Sequence, residues 1–236
     1  MFDVDVVVLS KFPEILQGFR DSVDADAPEL SKICVWDNRV GSLERYQKWS
    51  TFIATWPFQM ARNANLGWRA SNKDISYAGD DTRIIEPRTI VRLQELAYSD
   101  PHLGILSPRI IGHAQAFQIN PTVAPITFTP YVAFVFVYIK RAVIDEIGYL
   151  DERFEGYGME DLVFCYRARK VGFKCGVAKE IAVKHGYGEH TYGSTFIRVK
   201  GELQMGKDDK ENRRLYAEKW GLPDDAAAIF EAIDRG

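Results

Sequence analysis

At 236 residues the chain is long enough for one α/β domain with a substantial core. Its 46% hydrophobic and 27% charged residues are those of a folded globular protein, not of a disordered or fibrous one. A formal net charge of -3 and a pI near 5.9 provide no global field for nucleic acid or anionic lipid.

The N-terminal stretch, Phe2 to Leu9, is acidic and apolar and lacks the basic segment and cleavage site of a signal peptide. The longest apolar run, Tyr131 to Ile139, stops at Lys140 and Arg141, far short of the roughly 20 residues of a spanning helix. No membrane span is therefore expected, and a cytoplasmic location follows by default. Cys34, Cys165 and Cys175 form no CxxC pair and are expected to be reduced core residues.

The run Val4 to Leu9 is short, β-branched and followed by Pro13, which suits a buried parallel strand. A crossover helix over Ile15 to Val23 and a second strand over Ile33 to Trp36, closed by Asp37-Asn38, complete a βαβ start. Ser42 to Thr55 and Phe58 to Ala70 carry helical periodicity in places, with Pro57 between them. Ile75 to Ala78 reads as a strand running into Gly79-Asp80-Asp81, and Pro87 opens a helix through Tyr98. Strand formers dominate Ile105 to Ile139, most strongly from Tyr131 onward. Helices are predicted over Arg141 to Ile147 and Glu160 to Lys170, with a short strand over Ile181 to Val183 leading into His185. The segment Tyr187 to Gly193 is predicted to be a loop, and Lys207 to Trp220 and Asp225 to Ile233 to be two terminal helices.

Three constellations carry chemistry. Carboxylates at the end of a strand, Asp80 and Asp81, stand where ligands bind in open α/β sheets and could hold a hard cation against a diphosphate. The bland alternative for the same pair is a turn or a helix cap. Glu160 and Asp161 fall in the first turn of a predicted helix, where they suit the helix dipole but could also serve as a general base and an orienting group for an acceptor hydroxyl. His185, after a predicted strand, is a plausible third ligand beside an acidic metal site. Asp37 and Asn38 could receive a nucleobase or ribose. Arg62, Asn63 and Asn65 could approach a donor diphosphate and base, or form an exposed polar helix face.

The order and spacing of these segments resemble the family 2 glycosyltransferases over nearly the whole chain. Asn65-Leu66-Gly67-Trp68-Arg69-Ala70 is similar to the family's asparagine-glycine helix, and Tyr77-Ala78-Gly79-Asp80-Asp81-Thr82 to its DxD-type metal motif, with Asp81 at the last acidic position and Gly79 at the first. The segments Tyr138 to Arg141 and Ile147 to Phe154 resemble the lead into the acceptor site, Glu160-Asp161 the acidic pair, His185 the histidine that follows, and Asn212 to Gly221 the closing helix. At Ser10-Lys11-Phe12 the chain departs from the Thr-Tyr-Asn type turn of many members.

The resemblance implies a single GT-A type α/β domain over residues 1–236, with a mostly parallel central sheet flanked by helices. Residues 1–110 would form a Rossmann-like nucleotide-sugar-binding half and 111–200 an acceptor and catalytic half, followed by C-terminal helices over 201–236. It implies an inverting enzyme that uses Mn2+ or Mg2+, held by Asp81, His185 and Asp80, to move a sugar from a nucleoside diphosphate sugar to a saccharide or other hydroxyl acceptor, with Asp161 as base. A nucleic acid acceptor is disfavoured by the acidic pI but stays open. Two other readings stand beside it. A nucleotidyltransferase acting on sugar phosphates would usually carry a glycine-rich basic loop where this chain has Ser10-Lys11-Phe12-Pro13-Glu14. A noncatalytic glycan- or partner-binding module on the same scaffold would have no need of both acidic pairs together with His185.

Overall fold

The computed structural model describes residues 3–10, 13–37, 49–56, 59–156, 158–186, 202–221, 228–229, 231 and 235. The strands are β1 (Val4–Ser10), β2 (Ser31–Asp37), β3 (Ser50–Ala54), β4 (Asp74–Gly79), β5 (Thr82–Ile84), β6 (Leu103–Gly112), β7 (Ile126–Thr129), β8 (Phe136–Ile139) and β9 (Lys174–His185). The helices are α1 (Pro13–Asp26), α2 (Met60–Arg69), α3 (Thr89–Tyr98), α4 (Ala116–Ile119), α5 (Arg141–Ile147), α6 (Glu160–Lys170) and α7 (Glu202–Trp220).

The nine strands among the described residues join one sheet in the order β3-β2-β1-β4-β8-β6-β9-β5, with β7 also paired to β9. Strands β1 to β4 pair in parallel, β8 runs against both β4 and β6, and β6 pairs with β9 in parallel. Strands β5 and β7 run against β9. The carboxyl ends of β1, β2, β3, β4 and β9 therefore share one edge of a mostly parallel sheet, where the amino end of β8 also lies.

Strand β1 shows why the sheet has helices on both faces. Every residue of the strand is buried, Val7 and Leu9 among one apolar cluster and Val4, Val6 and Val8 among the other, as the two-residue side-chain period requires. The first cluster contains Trp68 of α2, Phe164 of α6 and Tyr216 of α7, and the second contains Phe19 of α1 and Leu93 of α3. Removing such a β-branched strand from water on both faces contributes roughly 1.5–3 kcal/mol for each large side chain.

Several expectations from sequence are corrected. The helical reading of Ser42 to Thr55 fails where it can be compared: Ser50–Ala54 is a strand, β3, paired in parallel with β2. Phe52 and Ile53 suit a pleated strand, and pairing at the sheet edge overrides a weak helical period. The helix placed from Pro87 begins at Thr89, because Arg88 takes a left-handed conformation and Asp26 caps the amides of Thr89 and Ile90. The short strand at Ile181 to Val183 is the end of the twelve-residue β9. The strand signal from Tyr131 is realised only from Phe136. Cys165 and Cys175 are free and buried. The predicted loop over Tyr187 to Gly193, the residue Asn38 and most of Asp225 to Ile233 lie outside the described residues.

Candidate active site

Asp80 and Asp81 form the turn between β4 and β5 and cap no helix. They differ in environment. Asp80 is fully buried and accepts a hydrogen bond from Ser10 Oγ at 2.6 Å, tying the turn to the end of β1. The Asp81 carboxylate folds back over the preceding strand end, so that a Cβ built on Gly79 would meet its Oδ1 at 2.8 Å. Glycine at the first position of the acidic motif thus makes room for the carboxylate at its last.

His185, the last residue of β9, meets that carboxylate because β5 pairs with β9 in the register Thr82↔His185. Its Nε2 lies 3.2 Å from Asp81 Oδ2, and the Asp81 carbonyl accepts from Gly186 N at 3.1 Å. Nδ1 is hydrogen-bonded to the carbonyl of His113, which can only accept, so Nδ1 carries a proton. The approach of β6 that supplies this carbonyl needs a glycine: Gly112 has φ +124, and a Cβ there would fall 2.1 Å from the His185 oxygen. Burial pushes the imidazole pKa down, but the hydrogen bond and charge of Asp81 and the His113 carbonyl outweigh it and leave the net shift upward. With Nδ1 protonated, a neutral imidazole turns the Nε2 lone pair toward a carboxylate oxygen, and two such acceptors at that distance need a cation between them. A proton can serve, and so can a divalent ion, for which carboxylate and imidazole are both ordinary ligands. Among the described residues no group of three or more His, Cys, Asp and Glu side chains is placed to hold a metal ion, so Asp80, turned to Ser10, does not join Asp81 and His185 as a third ligand. The pair accordingly leaves most coordination positions to other ligands.

The second acidic pair opens α6. Gly158 at φ +97 and Met159 at φ 75 turn the chain sharply into the helix, and the left-handed conformation of a buried methionine marks a strained entry. Glu160 is buried, whereas Asp161 is partly exposed. Asp161 Oδ1 accepts from Leu162 N at 2.8 Å and Oδ2 from Phe134 N at 3.2 Å. Burial raises the pKa of both carboxyls, further for Glu160, which also feels the charge of Asp161. Asp209 of α7 adds to the negative field on both. This helix is seated by Asn212, whose Nδ2 donates to the carbonyls of Glu155 at 3.1 Å and Gly158 at 2.9 Å.

The two acidic pairs converge on residues 133–135. Val135 O accepts from Gly79 N at 3.0 Å, and Phe134 N donates to Asp161, so one short strap touches the end of β4 and the α6 carboxylate. Beneath it Trp68, Tyr77, Phe134 and Phe164 stack edge-to-face or tilted at 5.4–6.3 Å between centroids. The buried Tyr77 hydroxyl is pushed far up by burial and then by the charges of Glu160, Asp80, Asp161 and Asp81 together. It lies in the field of both pairs.

The remaining sequence candidates fall into two groups. Asp37 ends β2 on the same edge of the sheet, and Arg62 is exposed with its guanidinium 4.2 Å over the Trp56 ring, just past the end of β3. Asn65, in contrast, is wholly buried and committed elsewhere. Its Oδ1 accepts from Leu150 N at 3.0 Å, and its Nδ2 donates to Leu150 O and Glu152 Oε1, each at 2.9 Å. It pins the segment before α6 rather than facing a ligand. Sequence reading missed Asp209 and Gln118, which carry no motif; only packing brings them to the site. A hollow of about 390 Å³ walled by Lys73, Asp74, Gln94, Tyr98 and Arg141 opens at the opposite edge of the sheet, away from these residues.

No protein-family model matches the chain, and no curated protein sequence does. Solved structures do match in shape. GalNAc-T7, crystallised with UDP, GalNAc and Mn2+, superposes with a TM-score of 0.66 at 13% identity, covering 100% of this chain and 54% of its own. The mannosyltransferase PcManGT from Pyrobaculum calidifontis, in complex with GDP-Man and Mn2+, gives 0.64 at 15% identity, covering 99% of this chain and 76% of its own. The chain thus spans about half the length of the first of these and has the GT-A type α/β fold.

Proposed function

We propose that the protein is a metal-dependent glycosyltransferase that moves a sugar from a nucleoside diphosphate sugar to an acceptor hydroxyl with inversion at the anomeric carbon. The observation that carries this reading is the strap at 133–135, which bonds Gly79, beside the Asp81 carboxylate that meets His185, through Val135 O and bonds Asp161 through Phe134 N. A carboxylate–imidazole pair and a second, partly exposed carboxylate are thus joined through one short segment. The fold likeness supports the metal and the nucleotide-sugar donor, since the two neighbours are described with Mn2+ and with UDP or GDP-Man.

Asp81 and His185 would hold manganese, or magnesium in its place, with Asp80 bracing the turn through Ser10. The ion, when bound, would offset the charge that develops on the diphosphate leaving group. Arg62, stacked on the Trp56 ring, would add a cation for the same phosphates. Asp37 and Asn38 are assigned to the ribose or base, and Asn65 is left out of the donor set because its amide is spent on Leu150 and Glu152. Asp161 accepts the acceptor's hydroxyl proton as the oxygen forms its bond to the anomeric carbon and the bond from that carbon to the diphosphate breaks on the opposite face. Glu160, kept protonated at neutral pH by burial and by Asp161, does not compete for that proton and orients the helix turn. A saccharide acceptor is the default, and the negative field of Asp161 and Asp209 disfavours a nucleic acid.

Calorimetric titration of UDP- and GDP-sugars with and without manganese tests the donor half, and NMR of the product's anomeric centre tests the stereochemistry. Manganese-dependent binding and an inverted product are expected. Donor binding indifferent to manganese, or a retained configuration, would overturn the reading.

A further inference from the structure

Gln118 touches neither acidic pair, yet it is bound on both sides to the residue that precedes the Asp161 contact. It is fully buried on the short helix α4. Its Oε1 accepts from Ala133 N at 3.0 Å, and its Nε2 donates to Ala133 O at 3.0 Å and to Ser107 Oγ at 2.9 Å. Ser107 Oγ in turn donates to Pro108 O at 2.8 Å, at the point where β6 slips register against β9. The amide therefore imitates one rung of a β-ladder to a backbone unit that has left the sheet, and satisfies both of its polar groups. The next residue, Phe134, gives its N–H to Asp161, and Val135 gives its carbonyl to Gly79.

We propose that Gln118 is the positioning residue for the Asp161 carboxylate, acting through the peptide of Ala133 and the N–H of Phe134. The proposal rests on the glycosyltransferase reading only in giving Asp161 a catalytic use. The clamp has a physical rationale of its own. The Asp161 carboxylate feels the amides of Leu162 and of Asp161 itself, which come with the helix, and that of Phe134, which exists only if the strap is held. A carboxylate that loses one of its amide donors becomes a stronger base and is freer to rotate. The charged and titratable groups whose fields couple to Asp161 are Glu160 on its own helix, Asp209 of α7, Tyr77 of β4 and Cys165 of α6. None of them bonds Gln118, so a change at Gln118 reaches Asp161 by way of the strap.

The test is the carboxyl titration of Asp161, followed by carbon-13 NMR and assigned by difference against Asp161→Asn, in wild type, Gln118→Leu and Ser107→Ala. Gln118→Leu removes all three side-chain bonds; Ser107→Ala removes one, is milder and serves if the first variant does not fold. The Asp161 midpoint should rise by about one pH unit in Gln118→Leu and by less in Ser107→Ala. Affinity for UDP with manganese should stay within about twofold. Where turnover is measurable, its acid limb should move with the same midpoint. A shifted midpoint with an unmoved acid limb supports the clamp and removes Asp161 as the base, which separates the two readings. An unshifted midpoint in a folded variant overturns the clamp.

Discussion

Asp81 and His185 face each other at 3.2 Å across the β5–β9 ladder, with the histidine's other nitrogen fixed by His113. If the pair holds the ion, Asp81→Ala should abolish the manganese dependence of nucleoside diphosphate binding and leave the fold intact, since a turn carboxylate contributes little to the core. His185→Ala should weaken manganese affinity about tenfold or more while changing metal-free nucleotide binding little. Calorimetry in manganese and in chelator separates the two, and equal losses in both buffers would assign His185 a structural role.

Gly79→Ala offers a subtler check, because it alters no ligand. Its Cβ would meet Asp81 Oδ1 at 2.8 Å and force the carboxylate to swing away. Manganese affinity should fall about tenfold with a small change in melting temperature. Unaltered manganese binding would mean that the folded-back carboxylate is not the binding geometry.

Asp161→Asn separates binding from chemistry. The amide's single oxygen can keep one of the two backbone bonds, from Leu162 or from Phe134, but the side chain cannot take a proton, so turnover should fall about 10²–10⁴-fold while donor and manganese affinities stay within a few-fold. Near-normal turnover in steady-state kinetics would assign the base elsewhere.

Glu160 predicts a pH-dependent stability. Burial, then Asp161, raises its carboxyl from the ordinary 4.5 to about 8. The unfolded chain therefore gives up this proton first, and ionisation costs the folded state increasing stability as pH rises from the unfolded value through the folded one. Glu160→Gln should remove that cost, raising the melting temperature more at pH 8 than at pH 5, by an amount on the order of 1 kcal/mol or more. Thermal melts across that range read the sign directly, and an equal or larger gain at pH 5 would contradict it.

Asn65→Ala tests the reassignment of that residue. Three hydrogen bonds to Leu150 and Glu152 would be lost inside a buried contact, so stability should drop by about 2–4 kcal/mol, with donor affinity unchanged in whatever protein remains folded. A selective loss of donor binding at normal stability would return Asn65 to the ligand set.

The sequence made some of this arrangement legible and concealed the rest for physical reasons. Helices over Arg141–Ile147 and Glu160–Lys170 have the bounds that periodicity gave them. Here the punctuation is local: Lys140 is extended, Gly148 has positive φ, and Gly158 and Met159 turn the chain. Strand β5 went unseen because it has three residues and exists by pairing with Val183–His185, a partner no local window contains. Asp80, Asp81, Glu160 and Asp161 were visible as acidic pairs, but their unequal burial was not, nor was the commitment of Asn65 to Leu150. Gln118 was invisible in principle. A lone glutamine in a four-residue helix has no pattern, and its partners are backbone atoms of Ala133.

The register that brings Asp81 to His185 also dictates when the site can exist. A nascent chain that has emerged through β4 already contains both partners of the β1–β2, β2–β3 and β1–β4 ladders, whereas α6, β8 and the histidine at the end of β9 are still to be made. Closing β5 onto β9 joins Thr82 to His185, a longer separation than Val4 to Asp74 in the β1–β4 ladder, and it also waits on β6, which pairs with β9. In pulsed hydrogen exchange during refolding, amides of β1 and β4 should accordingly gain protection before Gly186 N, whose acceptor is the carbonyl of Asp81. The frame comes first, and competence arrives as the final kinetic event.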